Sequence, residues 1–174
     1  MPLIQFANFP FVNDRFQKAV GKLALTWNQA TYIVYAMFVG FSGMPAPLAA
    51  KAFYSLKADS AQRDMTRAMA EHILLQAGTE SDRALLNRII KCFDSVQKFA
   101  AVRNGAIHGT VVFDKFGIIA IDPRNPAREN QRKHDLFKDP EAVQSELNAL
   151  ISELADVANA SAVHLAWADT LLKS

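Results

Sequence analysis

The sequence predicts an all-α fold, an antiparallel bundle of four to five helices with a small β-hairpin appended after the fourth helix. Apolar residues recur at spacings of three and four along most of the chain, which is the period of one helix face. Glycine and proline interrupt this period at a few places, so short loops are expected between the helices. Because 51% of the 174 residues are hydrophobic, a single domain spanning 1–174 has enough apolar side chains for a core.

The first predicted helix extends from Phe11 to about Phe41, and its composition fits either a buried helix or a membrane span. No charged residue occurs between Lys22 and Lys51, a stretch long enough to cross a bilayer. Polar residues, glycines and prolines interrupt it, and the apolar run Ile33–Phe41 is about half of the ~20 residues that a spanning helix needs. The sequence therefore favours a buried core helix and no membrane association.

Local signals divide the following region into two helices. Pro47 is suited to be the first residue of a short helix that ends near Leu56. Proline has no backbone N–H, and at the first helical position that N–H would have no partner within the helix. Asp59 or Ser60 is a typical N-cap for a third helix, whose apolar stripe stops before Gly78.

Thr79 or Ser81 is expected to cap a fourth helix, which continues to His108 with Gly109 as its terminator. The period then changes. Two β-rich runs flank the turn-forming segment Asp114–Gly117, which predicts a β-hairpin at about 110–122.

An exposed connection is predicted at about 123–139, because this segment contains prolines and many polar residues. The triplet Asp139-Pro140-Glu141 then begins the last helix. Aspartate is a favoured N-cap, proline fits the first helical position, and an acidic first turn is favourable at the positive end of the helix dipole. Helical periodicity continues from there nearly to Ser174.

Composition excludes several classes of function. The net charge is only +2, so the chain lacks the overall basic field of proteins that bind nucleic acid without a defined site. Cys92 is the only cysteine, which excludes an intrachain disulfide and predicts a buried thiol in a reducing compartment. His72, His134 and His164 show no metal-ligand spacing, and no phosphate-binding glycine pattern is present. We therefore predict no metal, no cofactor and, because the N-terminus lacks a secretory signal, a cytoplasmic protein.

The run Arg103-Asn104-Gly105-Ala106-Ile107-His108 is the segment that indicates chemistry. Asn104 and His108 are four residues apart and share a helix face, and the long side chain of Arg103 can reach them. Arginine can stabilise charge on a phosphoryl group and histidine can transfer a proton, a minimal set for cleaving RNA without metal. The alternative is structural, since basic residues and histidine before a glycine are ordinary at a helix C-terminus.

Arg103-Asn104, followed by His108-Gly109 after a long amphipathic helix, resembles the short signature of HEPN domains. The general plan, a helical bundle with this motif late in a long helix, is also similar to that family over roughly Phe11–Leu171. The resemblance implies an all-helical, usually dimeric protein. Many members are metal-independent endoribonucleases whose composite site pairs the Arg and His of two protomers, which would make Arg103 and His108 catalytic and Asn104 supporting. Other members only bind nucleotides or partners, and some are toxins paired with an antitoxin-like protein.

Two further groups of residues have a functional and a structural interpretation. Trp27 and Asn28 are expected in the core, the Asn bonded to a neighbouring helix, with Asn28 lining a cleft as the alternative. Four basic side chains in the predicted connection fit either a solvated loop or contacts to an RNA backbone, and they are Arg124, Arg128, Arg132 and Lys133.

Overall fold

The computed structural model describes residues 14–108, 110–114, 117–121 and 139–171, and the side chains of residues 17–104 and 139–166. Within these ranges the elements, in chain order, are α1 Asp14–Ser42, α2 Ala46–Ser55, α3 Asp59–Ala77, α4 Glu80–His108, β1 Thr110–Asp114, β2 Gly117–Ile121 and α5 Pro140–Leu171. The prediction of a helical bundle is confirmed.

The bundle core lies between α1, α3, α4 and α5, with α1 in contact with each of the other three. One face of the charge-free stretch of α1 lies in this core, and Val34, Met37, Phe38 and Phe41 are all buried there. No helix within the described ranges is both long and apolar enough to cross a membrane. The burial of these α1 residues confirms the expected core helix.

The helix directions correct part of the predicted antiparallel arrangement. Gln144, near the start of α5, donates a hydrogen bond to Thr26 Oγ1 (2.9 Å), and Leu165, late in α5, lies against Gly40. α1 and α5 are therefore parallel. A Cβ atom at Gly40 would lie 3.1 Å from Leu165 Cδ1, so glycine here allows the close approach of the two helices.

α4 runs antiparallel to its neighbours α3 and α5. The pairs that establish this are Arg63–Gln97 and Arg67–Asp94 on one side, and Asp82–His164 and Arg88–Glu153 on the other. α3 is consequently parallel to α1. The physical reason is α2, which folds back along α1 and returns the chain to the level of Trp27 before α3 begins.

Two predicted N-caps are confirmed, and the predicted starts of two other helices are corrected. Thr79 caps α4, and Asp139 caps α5 by accepting a hydrogen bond from the Ala142 N–H (3.0 Å). α2 begins one residue before Pro47, with Pro45 as its N-cap. Ala58, not Asp59 or Ser60, precedes α3. The Asp59 carboxylate accepts a hydrogen bond from Trp27 of α1, a partner that the local sequence does not contain.

β1 and β2 follow α4 directly and pair in antiparallel register, with Thr110 opposite Ile121 and Asp114 opposite Gly117. β2 lies in contact with α4. Gly109, the two turn residues 115–116 and residues 122–138, which include most of the predicted connection, lie outside the described residues.

Asp82 joins the start of α4 to α5 through a fully buried carboxylate. Its Oδ2 accepts hydrogen bonds from the Thr79 hydroxyl (2.6 Å) and backbone N–H (2.9 Å), while Thr79 Oγ1 accepts one from the Asp82 N–H (3.2 Å). Its Oδ1 lies 3.1 Å from His164 Nε2. The Thr79 hydroxyl bond lowers the pKa of Asp82 most, and the Thr79 N–H and His164 add to this against the opposing effect of burial.

Asp82→Asn is expected to reduce the loss of stability in acid. Because the folded-state pKa lies below the unfolded value of about 3.9, the ionised carboxylate stabilises the fold above that pH, and this contribution is lost as the pH falls through the folded pKa. Urea unfolding from pH 7 to pH 3 should show a steeper loss of unfolding free energy for the wild type than for Asp82→Asn. Asp156→Asn, at an exposed carboxylate of α5, should keep the wild-type slope. Identical slopes for the wild type and Asp82→Asn would contradict this assignment.

Candidate functional site

Arg103 lies near the end of α4, where this helix passes α1 and the start of α3. Its guanidinium carbon is 5.9 Å from the centroid of the Trp27 ring. Its Nη1 lies 3.8 Å from Asp59 Oδ2. The side chain remains 27% exposed. The guanidinium is thus held by an aromatic ring and a carboxylate while part of it faces solvent.

Asn104 is in direct contact with Arg103, as the motif predicts. Arg103 Nη1 donates a hydrogen bond to Asn104 Oδ1 (2.9 Å), and the Asn104 side chain is exposed. His108 is the last residue of α4, and its side chain lies outside the described part of the structure. The four basic residues of the predicted connection lie entirely outside the described residues: Arg124, Arg128, Arg132 and Lys133.

Trp27 is the residue around which the charged side chains are grouped. Its indole is 3% exposed, and the Nε1–H donates to Asp59 Oδ2 (3.0 Å). Arg63 also lies 5.9 Å from the ring centroid, the same distance as Arg103. The expectation of a core Trp is confirmed, whereas Asn28 is exposed and therefore not the buried partner of a neighbouring helix.

Arg63 is an almost fully buried cation, with only 6% of its surface exposed. Its Nη2 donates a hydrogen bond to Gln97 Oε1 of α4, which compensates for part of the lost hydration. Burial lowers the pKa of Arg63, and the charges of Asp59 and Asp64 act in the opposite direction. A guanidinium nevertheless stays protonated near neutral pH. Arg63 therefore contributes a permanent positive charge beside Trp27.

We define Trp27, Asp59, Arg63, Gln97 and Arg103 as the Trp27 cluster. It contains two guanidinium groups and one carboxylate, and +2 and −1 give a net charge of +1. Within the described part of the chain, the buried Nε of Arg103 has no hydrogen-bond acceptor. A cavity of about 10 Å³, roughly the space of one water molecule, adjoins the cluster. The net positive charge and the exposed part of the Arg103 side chain, rather than the buried Nε or the cavity, favour an anion at the outer edge of this guanidinium.

Asp59, Arg63 and Gln97 were missed by the sequence analysis as members of this site. Asp59 and Arg63 are four residues apart on α3, a spacing that places them on one helix face. That spacing alone is typical of a solvated surface pair. Their role depends on Trp27, which is 32 residues before Asp59 and meets it only because α2 folds back.

Of the other histidines considered from the sequence, His72 and His164 lie within the described ranges and His134 lies outside them. No group of three or more His, Cys, Asp or Glu side chains in the described ranges has a metal-binding arrangement. His72 is exposed beside Gln76, and His164 pairs with Asp82. Cys92 is buried as predicted, and this burial raises the pKa of its thiol.

Comparison of the chain with protein-family models, curated proteins and solved structures yields no match. The basis for a functional proposal is therefore the chemistry of the Trp27 cluster together with the Arg103–His108 motif.

Proposed function

We propose that this chain is a HEPN-like, metal-independent endoribonuclease that works as a homodimer. Arg103 stabilises the charge on the transferring phosphoryl group, and His108 transfers the proton. The observation that carries the proposal is the environment of Arg103. Its guanidinium is anchored by Trp27, Asp59 and Asn104, stays partly exposed, and belongs to a cluster of net charge +1.

The reaction needs no group beyond the RNA and the two side chains. The 2′-hydroxyl oxygen attacks the adjacent phosphorus, the bond from phosphorus to the 5′-oxygen breaks, and the products are a 2′,3′-cyclic phosphate and a 5′-hydroxyl end. His108 removes the 2′-hydroxyl proton in one protomer or protonates the leaving oxygen in the other, and Arg103 neutralises charge on the phosphoryl oxygens. Two copies of the motif facing one cleft would supply both proton transfers.

The RNA and partner assignments belong to the same proposal. The four basic residues Arg124, Arg128, Arg132 and Lys133 would contact the RNA backbone beside the site. In cells the chain would be the toxin-like half of a two-component system, with an antitoxin-like protein as its partner. The site uses no metal ion.

The test is incubation of purified protein with single-stranded RNA in EDTA, in parallel with His108→Ala. Cleavage by the wild type alone, with cyclic-phosphate ends, supports the proposal. Equal cleavage by both proteins overturns the role of His108 and with it the proposed mechanism. Absence of cleavage by either over a broad range of RNAs and conditions overturns the enzymatic assignment.

Arg103→Ala is expected to slow cleavage by about 10²–10³-fold, the usual effect of removing one donor to the developing charge. Arg103→Lys should recover only part of this loss, because an ammonium lacks the planar fork that binds two phosphoryl oxygens. Single-turnover rates measure both effects. Arg88→Ala is the matched control, since Arg88 is an exposed arginine of the same helix that pairs with Glu153. A rate for Arg103→Ala within threefold of Arg88→Ala would contradict the role of Arg103.

A non-catalytic protein that binds a nucleotide or a partner is the second candidate. It is favoured by one observation, the use of Arg103 Nη1 for contacts with Asn104 and Asp59 within the chain itself. An arginine held in place by its own chain suits stable anion binding with no catalytic step. Saturable nucleotide binding by isothermal calorimetry, lost in Arg103→Ala and accompanied by no RNA cleavage, would identify this function.

A further inference from the structure

Three tyrosines form a connected aromatic surface on α1 and α2, here called the tyrosine patch: Tyr32, Tyr35 and Tyr54. The ring centroids of Tyr35 and Tyr54 are 5.4 Å apart, and those of Tyr32 and Tyr35 are 6.3 Å apart. Tyr32 is 66% exposed and Tyr54 is 55% exposed. Tyr35 is half-buried beneath them and donates a hydrogen bond from its hydroxyl to the Ala46 carbonyl (3.2 Å). Tyr35 is therefore held in place by this hydrogen bond, while the rings of Tyr32 and Tyr54 remain accessible to solvent.

The segments that carry the tyrosine patch contain lysines and no carboxylate, and the first acidic residue after them, Asp59, accepts the hydrogen bond from Trp27. The chain contains no acidic residue from 15 to 58, so neither α2 nor the part of α1 that carries the patch holds a carboxylate. Lys51 is exposed three residues before Tyr54 on the same face of α2, and Lys57 is exposed shortly after that helix ends. Aromatic faces beside lysines without carboxylates match a single-stranded nucleic acid, whose bases stack and whose phosphates are anionic.

Tyr35 of the tyrosine patch and Trp27 of the Trp27 cluster both belong to α1. Trp27, Thr31 and Tyr35 are spaced by four residues, so they share a helix face, and Tyr35 is about 12 Å from Trp27 along the axis. At the ~3.4 Å per phosphate of a stacked strand, this separation corresponds to roughly three to four nucleotides. On this axial spacing, a strand that stacks on the patch and runs toward Trp27 would reach the level of Arg103 within a few nucleotides.

We propose that the tyrosine patch is a stacking platform for bases of single-stranded RNA a few nucleotides from the scissile phosphate. The choice of RNA and the position of the cut rest on the proposed nuclease function. A second copy of the chain is a poorer occupant, because a two-fold interface through the patch would bring the lysines of both copies together with no carboxylate in the patch to oppose them. The platform selects unpaired RNA, since bases within a duplex have no free face.

Binding of a labelled RNA 12-mer with 2′-O-methyl groups at every position tests the platform, because this probe cannot undergo attack by a 2′-hydroxyl. Each tyrosine replaced by alanine should weaken binding about 5- to 150-fold, the fold-change that corresponds to ~1–3 kcal/mol for one stacked base, so the double variant Tyr32→Ala/Tyr54→Ala should lose at least about 30-fold. Tyr32→Phe/Tyr54→Phe keeps the rings and should bind within about twofold of the wild type. Leu75→Ala, at an exposed apolar residue of α3, is the surface control.

An abasic strand of the same length separates stacking from charge. It retains the phosphates, so it should bind weakly and equally to the wild type and to the double alanine variant. Unchanged binding of the 12-mer by the alanine variant overturns the platform, as does an equal loss in the phenylalanine variant. A dimer that becomes a monomer in the alanine variant without RNA, measured by analytical ultracentrifugation, also overturns it in favour of a protein interface.

Failure of the platform and failure of the nuclease give different results. If the wild type cleaves unmodified RNA but the alanine variant binds the 12-mer normally, the nuclease stands and the platform is wrong. If no RNA is cleaved but the alanine variant loses 12-mer binding while the phenylalanine variant retains it, the platform stands as part of an RNA-binding protein.

Discussion

Replacement of His108 with alanine is expected to slow the cleavage of single-stranded RNA by about 10²–10⁴-fold, the range typical of a lost general acid or base. If two protomers share one site, each copy of His108 has a different role in it, and the homodimeric variant loses both proton transfers. The measurement is the single-turnover rate in EDTA at neutral pH, with RNA in contact with excess protein.

His72→Ala is the matched control for this variant, because His72 is an exposed histidine of α3 remote from the motif in sequence. It should cleave at the wild-type rate. The 2′-O-methyl 12-mer should bind His108→Ala about as tightly as the wild type, which would separate a loss of chemistry from a loss of binding. An unchanged rate in His108→Ala would contradict the proposed mechanism, whatever happens to the dimer.

Phe53→Ala is expected to lower the free energy of unfolding by about 3–5 kcal/mol, the usual cost of removing a fully buried phenylalanine. Phe53 is completely buried on the inner face of α2. Its ring packs against Phe38 of α1 at 5.7 Å and Tyr35 at 5.4 Å. Removing the ring leaves a cavity between α2 and the bundle that these rigid neighbours cannot fill. Urea unfolding followed by circular dichroism measures the loss.

Leu48→Ala is the control on the same helix, since Leu48 is largely exposed and surface substitutions usually change stability by less than about 0.5 kcal/mol. A loss in Phe53→Ala close to that of Leu48→Ala would mean that α2 contributes little to the stability of the bundle. The Trp27 cluster should also be affected by Phe53→Ala. The Phe53 carbonyl accepts a hydrogen bond from Gln62, the neighbour of Arg63, so a displaced α2 would disturb the start of α3.

The helices and several of their ends were predictable because their causes are local. Thr79 and Asp139 cap α4 and α5 through hydrogen bonds to residues three positions away, and such bonds are encoded in a short stretch of sequence. Gly78 ends α3 in a left-handed conformation, with φ 72°, which a residue without Cβ adopts readily. The contact between Arg103 and Asn104 joins neighbouring residues and was predictable for the same reason.

The role of Asp59 could not be predicted from its neighbours in the sequence. Its residue type and position predicted an N-cap, but the carboxylate instead accepts a hydrogen bond from Trp27 and lies near Arg103. A competing partner from another helix decides between the two, and no local pattern reports that partner. The direction of α3 was also not predictable from local sequence, because the return of the chain along α1 depends on how α2 packs.

The sequence by itself determined a helical bundle, its apolar faces and the polar run at the end of α4, since each depends on residues within a few turns of one another. Only the tertiary structure decided that Trp27, Asp59, Arg63 and Arg103 form one cluster and that Asp82 meets His164. These contacts join residues of different helices. Their formation depends on the packing and direction of whole helices, which arise from the burial of many side chains together and not from any single motif.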